Sequence, residues 1–227
     1  LQIRALADRR RGIGFDQMVV LEPPTAPTAD VFMRIYNADG GEVEACGNAT
    51  RCVARLLGRE SMTIETRPGL LKVACLGEKV SVDMGVPYIT QGLALTAGPL
   101  QNPVGVDIGN PHAVFFVEDA ESVDLAGLGP KVERHPLFPD RTNVEVAQVL
   151  SPDKIRLRVW ERGTGITQAC GTGACATAAA AHRLGLTNRR VAIVLDGGTL
   201  DIEWRESDGH ILMTGAVAEV YRAEIEL

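Results

Sequence analysis

The chain has 227 residues and a formal net charge of −6; 45% of the residues are apolar and 23% are charged. This composition is typical of globular proteins and excludes an intrinsically disordered chain, which would contain fewer apolar residues. The negative charge argues against a nucleic-acid-binding protein, because such proteins bind mainly by neutralising phosphates with lysine and arginine.

The sequence also lacks the marks of a membrane or secreted protein. No run approaches the roughly 18 consecutive apolar residues that a membrane span requires, and the charged opening segment differs from a signal peptide. Five cysteines, an odd number, argue against a disulfide framework. We therefore expect a cytoplasmic protein that binds no membrane. Since its first residue is leucine, we expect the chain to begin inside a longer native protein.

Strands dominate the predicted secondary structure. Short runs that often alternate apolar and polar residues, separated by glycine or proline, indicate strands. In chain order they are 31–36, 62–66, 79–83, 113–117, 143–147, 154–160, 190–195 and 199–204. Three segments indicate helices instead, namely 46–57, 122–134 and 170–184. The alanine run at 178–181 favours helix and gives the last of these small side chains on every face, which suits a helix closely surrounded by strands.

The two strongest predicted helices are opened by similar sequences. Residues 44–52, Glu-Ala-Cys-Gly-Asn-Ala-Thr-Arg-Cys, resemble residues 168–175, Gln-Ala-Cys-Gly-Thr-Gly-Ala-Cys. Each segment follows a strand and a polar loop at the same spacing. The repeat predicts two similar halves, each with strands wrapped around a central helix, and a break near residues 88–101.

Cys46 and Cys170 lie where these helices are expected to begin, and each is followed by a glycine. A helix N-terminus presents unpaired N–H groups and a partial positive charge, so it binds carboxylate or phosphate. The same field lowers the pKa of an adjacent thiol from about 8.5 into a range of roughly 3.5 to 7.5. A duplicated pair would place two thiols on opposite sides of one small anionic ligand. One base and one acid on opposite faces of the same carbon is what inversion of a stereocentre requires.

Other roles for the cysteines explain fewer features of the sequence. Cys52, Cys75 and Cys175 are most simply packing residues. A zinc site is disfavoured, because five residues separate Cys46 from Cys52, whereas the usual ligand spacing leaves two to four. Four residues separate Cys170 from Cys175, but the following glycine and the helical pattern favour another use.

Hydrolase and cofactor chemistry also fit less well. A cysteine hydrolase would need one thiol with an activating histidine, for which His112 in a Gly-Asn-Pro-His loop is the best placed, and the repeat would stay unexplained. None of the four lysines lies in a polar glycine-rich loop, as a pyridoxal cofactor would favour. The glycines at 12 and 14 lack the third glycine of a dinucleotide fingerprint. We therefore expect no cofactor and no metal.

The same segments resemble the motifs of the diaminopimelate epimerase family. Residues 37–52 and 161–175 match its two signature segments, and the resemblance covers nearly the whole chain. Three lesser motifs are similar in the same order, at 12–17, 109–112 and 141–144. The family's opening strand and its His-Gly-x-Gly-Asn-Asp-Phe loop have no counterpart in this chain.

The resemblance implies a fold and a domain division. The expected fold is α+β, with two pseudo-symmetric halves, each a mostly antiparallel strand barrel wrapped around a central helix. The first half is expected to span 1–92 plus 216–227, without the family's opening strand, and the second half 93–215.

The resemblance also implies a function. The family interconverts L,L- and meso-diaminopimelate without cofactor or metal, on the bacterial route to lysine and peptidoglycan. The protein is thus expected to be a cytoplasmic isomerase and a homodimer that acts on a small molecule and binds no nucleic acid. A racemase of the proline or hydroxyproline type, or a non-catalytic amino-acid-binding protein, stays open as an alternative.

Carried over position by position, the resemblance gives a role to each motif residue. Cys46 and Cys170 are the two acid/base thiols, one taking the α-proton as thiolate and the other returning a proton to the opposite face. His112 and Glu161 match positions that tune the pKa values of the cysteines. A guanidinium suits a distal carboxylate, and a carboxylate suits an ammonium. The positions that match substrate contacts are Gln17, Asn37, Gly47, Asn48, Asn110, Asn143, Glu161, Arg162, Gly171 and Thr172.

Overall fold

The computed structural model describes residues 2–43 and 46–225. It divides into two compact units: a first unit of Leu1–Val82 with Ala216–Leu227, and a second unit of Asp83–Gly215. The change from the first unit to the second therefore precedes the boundary expected at residue 92. The reason is local, because strand Tyr88–Thr90 pairs with Val104–Asp107 and so belongs to the second unit.

The first unit is built mainly from antiparallel strands. In chain order its elements are α1 (Gln2–Ala7), β1 (Gln17–Glu22), β2 (Val31–Asn37), β3 (Glu42–Val43), α2 (Gly47–Leu57), β4 (Ser61–Thr66), β5 (Gly69–Leu76) and β6 (Lys79–Asp83). The strand order is β1-β2-β4-β5-β6, with β3 against β2. Only β2 and β4 run parallel among these pairs of described strands. A parallel pair needs a crossover, which β3 and α2 supply.

The second unit is larger and repeats this pattern. Its elements are β7 (Tyr88–Thr90), β8 (Thr96–Ala97), β9 (Leu100–Gln101), β10 (Val104–Asp107), β11 (Pro111–Phe116), α3 (Leu125–Glu133), β12 (Asn143–Ser151), β13 (Lys154–Glu161), β14 (Gly165–Thr167), α4 (Gly171–Arg183), β15 (Arg190–Leu195), β16 (Gly198–Trp204) and β17 (Ile211–Ala216). The strand order is β17-β16-β15-β13-β12-β11-β10-β7, with β14 against β13. The pairs β11–β12 and β13–β15 are parallel.

The sequence repeat corresponds to a repeat of topology. In the first unit, β2, the short strand β3 and α2 lead to β4, which is parallel to β2 and starts an antiparallel series with β5 and β6. In the second unit, β13, the short strand β14 and α4 lead to β15, which is parallel to β13 and starts an antiparallel series with β16 and β17. The expected α+β fold with two similar halves is confirmed.

The two repeat helices differ in how deeply they are buried. From Gly173 to Ala181 every residue of α4 is buried, and strands β10, β11, β12, β15 and β16 all contact the helix. The alanine run makes this possible because small side chains let strands approach on every side. By contrast, α2 buries one face and exposes Cys52 and Leu56 on the other. The expectation that Cys52 is a packing residue is therefore wrong, since helical spacing places it on the solvent side.

No helix within residues 2–43 and 46–225 is long and apolar enough to cross a membrane.

Candidate active site

Helix α4 begins at a buried cysteine. Cys170 is the N-cap residue, with the extended backbone (φ −126°, ψ 112°) that an N-cap position favours. Its sulfur accepts a hydrogen bond from the backbone N–H of Gly173 at 3.3 Å and lies 3.5 Å from Thr172 Oγ1. A Cβ at position 173 would lie 2.9 Å from Glu145 Oε1 and 3.3 Å from the Cys170 sulfur. The first turn of α4 therefore requires glycine at this position.

The surroundings of Cys170 favour its protonated form. Burial raises the pKa of the thiol well above its ordinary value, and the negative charge of the Glu161 carboxylate raises it further. Hydrogen bonds from Thr172 and Gly173 act in the opposite direction but are outweighed. The sequence predicted a lowered pKa at this helix N-terminus, whereas the structure raises the pKa of Cys170, because burial and the Glu161 carboxylate outweigh the hydrogen bonds from Thr172 and Gly173.

A continuous series of hydrogen bonds leads away from this thiol. Thr172 Oγ1 accepts from Asn110 Nδ2 at 3.3 Å, and Asn110 Oδ1 lies 2.9 Å from His112 Nε2. On the other side of the imidazole, His112 Nδ1 lies 2.7 Å from Glu145 Oε1. The side chains of His112 and Glu145 are both fully buried. Four links therefore connect a buried carboxyl group to Cys170.

Strand pairing places these groups at one end of the second unit. His112 on β11 and Asn143 on β12 are register partners in a parallel pair. Asn143 Nδ2 donates to the carbonyl of Pro111 at 2.9 Å, and its Oδ1 accepts from the backbone N–H of Arg162 at 2.9 Å. Side chains two residues apart on a strand share a face, so Glu145 lies on the same face of β12 as Asn143.

Glu161 and Arg162 lie at the end of β13. Glu161 Oε1 accepts from Thr167 Oγ1 at 2.5 Å. Burial raises the pKa of Glu161, while the Thr167 hydrogen bond and His112 lower it less. The side chain of Arg162 is exposed, and its Nη1 donates to the carbonyl of Asp140 at 3.0 Å. A carboxyl group and a guanidinium group are thus presented next to each other in sequence at this end of the strand.

One buried carboxylate holds the loop that follows. Glu133 is the last residue of α3, and its two oxygens accept from Trp160 Nε1 at 2.8 Å and from the backbone N–H of Gly163 at 3.0 Å. Gly163 has φ +75°, a conformation that other residues adopt only with strain. Glu133 therefore connects α3 by hydrogen bonds to the residue before Glu161 and to the residue after Arg162.

The first unit presents a matching helix start. Cys46 is the N-cap residue of α2, half-buried, with extended backbone (φ −149°, ψ 111°). Its carbonyl accepts from the hydroxyl and the backbone N–H of Thr50. In the first turn, Asn48 Oδ1 is buried and has no hydrogen-bond partner among the described residues. Gln17 and Asn37 are register partners on β1 and β2, and Gln17 Nε2 donates to Asn37 Oδ1 at 3.2 Å.

Comparison with known proteins identifies the family. The family model for diaminopimelate epimerase matches residues 1–90 and 104–220. The chain belongs to the diaminopimelate epimerase family. It is 56% identical to the diaminopimelate epimerase of Rhodospirillum centenum, over 98% of this chain and 82% of that protein. It is 52% identical to that of Erythrobacter litoralis, over 98% of this chain and 86% of that protein.

Solved structures support the same fold. A hydroxyproline epimerase from Agrobacterium vitis, with bound trans-4-OH-L-proline, matches with a TM-score of 0.70 at 17% identity. The match covers 94% of this chain and 76% of that one. At this level of identity the likeness concerns the fold alone.

In the second unit, the site residues predicted from the sequence lie close together. Hydrogen bonds connect some of them, and others lie at the start of α4. These site residues are Asn110, His112, Asn143, Glu161, Arg162, Cys170, Gly171 and Thr172. Sequence reasoning missed Glu133 and Glu145. For Glu145 a signal existed, because its two-residue spacing from Asn143 on a predicted strand places both on one face.

Proposed function

We propose that this protein epimerises L,L-diaminopimelate to meso-diaminopimelate without a cofactor or metal, by two-base proton transfer at the α-carbon with Cys46 and Cys170 as the thiolate and the thiol. The observation that carries the proposal is the duplicated helix start. Each of two topologically equivalent helices begins at a cysteine followed by glycine. Membership of the diaminopimelate epimerase family, at 56% and 52% identity to the two relatives, supports the same reaction.

In this mechanism Cys170 supplies the proton in one direction of the reaction. Its raised pKa keeps it as a neutral thiol at neutral pH. Cys46, as thiolate, takes the α-proton; the Cα–H bond breaks and its electron pair is delocalised into the α-carboxylate. The S–H bond of Cys170 then breaks, and its proton joins the opposite face of the carbon. Cys46 ends as thiol and Cys170 as thiolate, ready for the reverse reaction.

The substrate contacts follow from the chemistry of the two helix starts. Backbone N–H groups at Gly47–Asn48 and Gly171–Thr172 would bind the α-carboxylate and stabilise the negative charge that develops on it. Glu161 would bind an ammonium group. Arg162, together with the amide side chains of Gln17, Asn37, Asn110 and Asn143, would bind the distal end of the substrate, where a guanidinium can hold a carboxylate bidentately.

The cellular setting belongs to the same proposal. The reaction would supply a precursor of lysine and peptidoglycan in the cytoplasm. The protein would act as a homodimer and would bind neither nucleic acid nor membrane.

Exchange of the α-proton tests the function directly. Reduced protein is incubated with L,L-diaminopimelate in deuterated water, and deuterium at Cα and the meso product are followed by NMR. We expect exchange with inversion in the wild type and loss of turnover in Cys46→Ala and Cys170→Ala. Inversion of proline or hydroxyproline in place of diaminopimelate would assign the protein to the other racemase class. Substrate binding without exchange would indicate a binding protein.

A further inference from the structure

A buried carboxyl group on β12 has no role in the mechanism above. The side chains of Glu145 and His112 are fully buried, and Glu145 Oε1 lies 2.7 Å from His112 Nδ1. The other oxygen, Oε2, is also buried and has no hydrogen-bond partner among the described residues. Burying an ionised oxygen without a hydrogen-bond partner costs free energy. A carboxyl group at this position therefore needs a structural or functional explanation.

The donor and the acceptor can be assigned in each of the next two hydrogen bonds beyond His112. Asn110 Oδ1 can only accept, so His112 Nε2, 2.9 Å away, carries a hydrogen. Asn110 Nδ2 donates to Thr172 Oγ1, so the Thr172 hydroxyl keeps its own hydrogen for another acceptor, and the Cys170 sulfur lies 3.5 Å away. The series therefore ends in an O–H group that can donate to the Cys170 sulfur once that sulfur is ionised.

Two arrangements of protons satisfy His112 Nδ1. Either a neutral Glu145 donates its O–H to an unprotonated Nδ1, or an imidazolium donates to an ionised Glu145. The second arrangement would leave an anionic Oε2 buried without a partner. It would also separate a positive and a negative charge within a fully buried pair, with the negative charge on the side chain that interacts with Glu161 and Cys170. Burial raises the pKa of Glu145, His112 opposes this rise, and Glu161 adds to it.

We propose that Glu145 is a positioning residue: a neutral carboxylic acid whose Oε1–H donates to His112 Nδ1. This bond holds the imidazole as the Nε2–H tautomer and thereby directs the Thr172 hydroxyl at Cys170. The inference deepens the proposed function, on which its kinetic consequence rests. When Cys170 has given up its proton, the O–H of Thr172 stabilises the resulting thiolate.

The tautomer of His112 is observable without turnover. The full chain, labelled with ¹⁵N in histidine, is compared by NMR in the wild type, Glu145→Gln and Glu145→Leu, and a His112→Gln variant assigns the signals. We expect a neutral Nε2–H imidazole in the wild type at pH 7. The same tautomer should persist in Glu145→Gln, because the amide N–H of glutamine can also donate to Nδ1. An imidazolium or an Nδ1–H imidazole in the wild type would overturn the proposal.

Kinetics give the second readout. We expect kcat for Glu145→Gln within about threefold of the wild type, and a loss of about tenfold or more for Glu145→Leu with KM little changed, since leucine removes the donor. Thr177→Val is the matched control. Thr177 is fully buried in α4 and its hydroxyl has no hydrogen-bond partner among the described residues, so this variant should keep full activity.

The outcomes separate the two proposals. A loss in Glu145→Gln as large as that in Glu145→Leu, or full activity in Glu145→Leu, would refute the positioning role. If Glu145→Leu does not fold, the tautomer in the wild type and in Glu145→Gln still decides. A wild type without α-proton exchange would reject the proposed function, while the NMR comparison would still test the role of Glu145.

Discussion

Replacing Glu133 by glutamine tests how the loop that carries Glu161 and Arg162 is held. Glu133 is 2% exposed, and its carboxylate accepts from Trp160 Nε1 and from the backbone N–H of Gly163. In Glu133→Gln, one acceptor becomes an N–H group that faces another N–H. A hydrogen bond to a charged group contributes about 1.5–3 kcal/mol, so the free energy of unfolding at pH 7 should fall by about that amount.

The variant should also change how stability depends on pH. Burial raises the pKa of Glu133, but hydrogen bonds from Trp160 and Gly163 and the charges of Arg141 and Arg134 outweigh it and hold the pKa below 4.5. A carboxylate with a lowered pKa in the folded state stabilises the protein above its unfolded pKa. That contribution is lost as the pH falls through the folded pKa. The difference between wild type and variant should therefore shrink below pH 4.5.

Urea unfolding followed by tryptophan fluorescence measures both effects. The two tryptophans, Trp160 and Trp204, lie in the second unit, so the signal reports on the unit that contains Glu133. Glu121→Gln is the control: Glu121 is 60% exposed and pairs with Arg156, and such a surface pair contributes about 0–1 kcal/mol. The reasoning is wrong if Glu133→Gln unfolds within about 0.5 kcal/mol of the wild type, or if the difference persists unchanged at pH 3.

Three further predictions follow from the same contacts. Gly173→Ala should lower kcat and cost about 1–3 kcal/mol of stability, because its Cβ would meet Glu145 and the Cys170 sulfur; activity and urea unfolding check this. Gly129→Ala should cost at least as much, because its Cβ would lie 2.6 Å from the Trp160 ring, and a changed near-ultraviolet circular dichroism spectrum would report it. Since Cys170 must be protonated to donate, the alkaline decline of kcat/KM should begin only as the pH approaches its raised pKa, while loss of the Cys46 thiolate lowers kcat/KM in acid; an alkaline decline that begins below about pH 8 would contradict this.

The sequence predicted those features that depend on local pattern. The duplicated Ala-Cys-Gly placed both helix starts correctly, since α2 and α4 begin directly after Cys46 and Cys170. Strands without clear alternation were missed, such as β5 with Leu70 and Leu71 side by side. The six-residue α1 was also missed, because a helix this short has too few residues to show a helical period.

The polar network could not be predicted, because its partners are distant in the chain. Glu133 has the sequence pattern of an ordinary surface acid, and the strand spacing of Glu145 gives its face but not its partner. Only the structure shows that Glu133 binds Trp160 and Gly163 and that Glu145 binds His112. The same limit explains why the sequence predicted a lowered pKa for the Cys170 thiol, whereas the structure raises it. The effect of a helix N-terminus is visible in local sequence, whereas burial by strands and the approach of distant carboxyl groups are not.

The repeat places two thiols in the same local position, at the N-caps of α2 and α4, yet a two-base reaction needs them in different protonation states. The structure supplies the difference through packing. Helix α4 is enclosed and Cys170 is buried among carboxyl groups, whereas α2 exposes one face and Cys46 is half-buried. In the proposed mechanism this asymmetry makes Cys170 the thiol before substrate binds. An ammonium group bound at Glu161 would then offset the carboxylate charge that raises the pKa of Cys170, so the donor would become more acidic when a substrate is present to receive its proton.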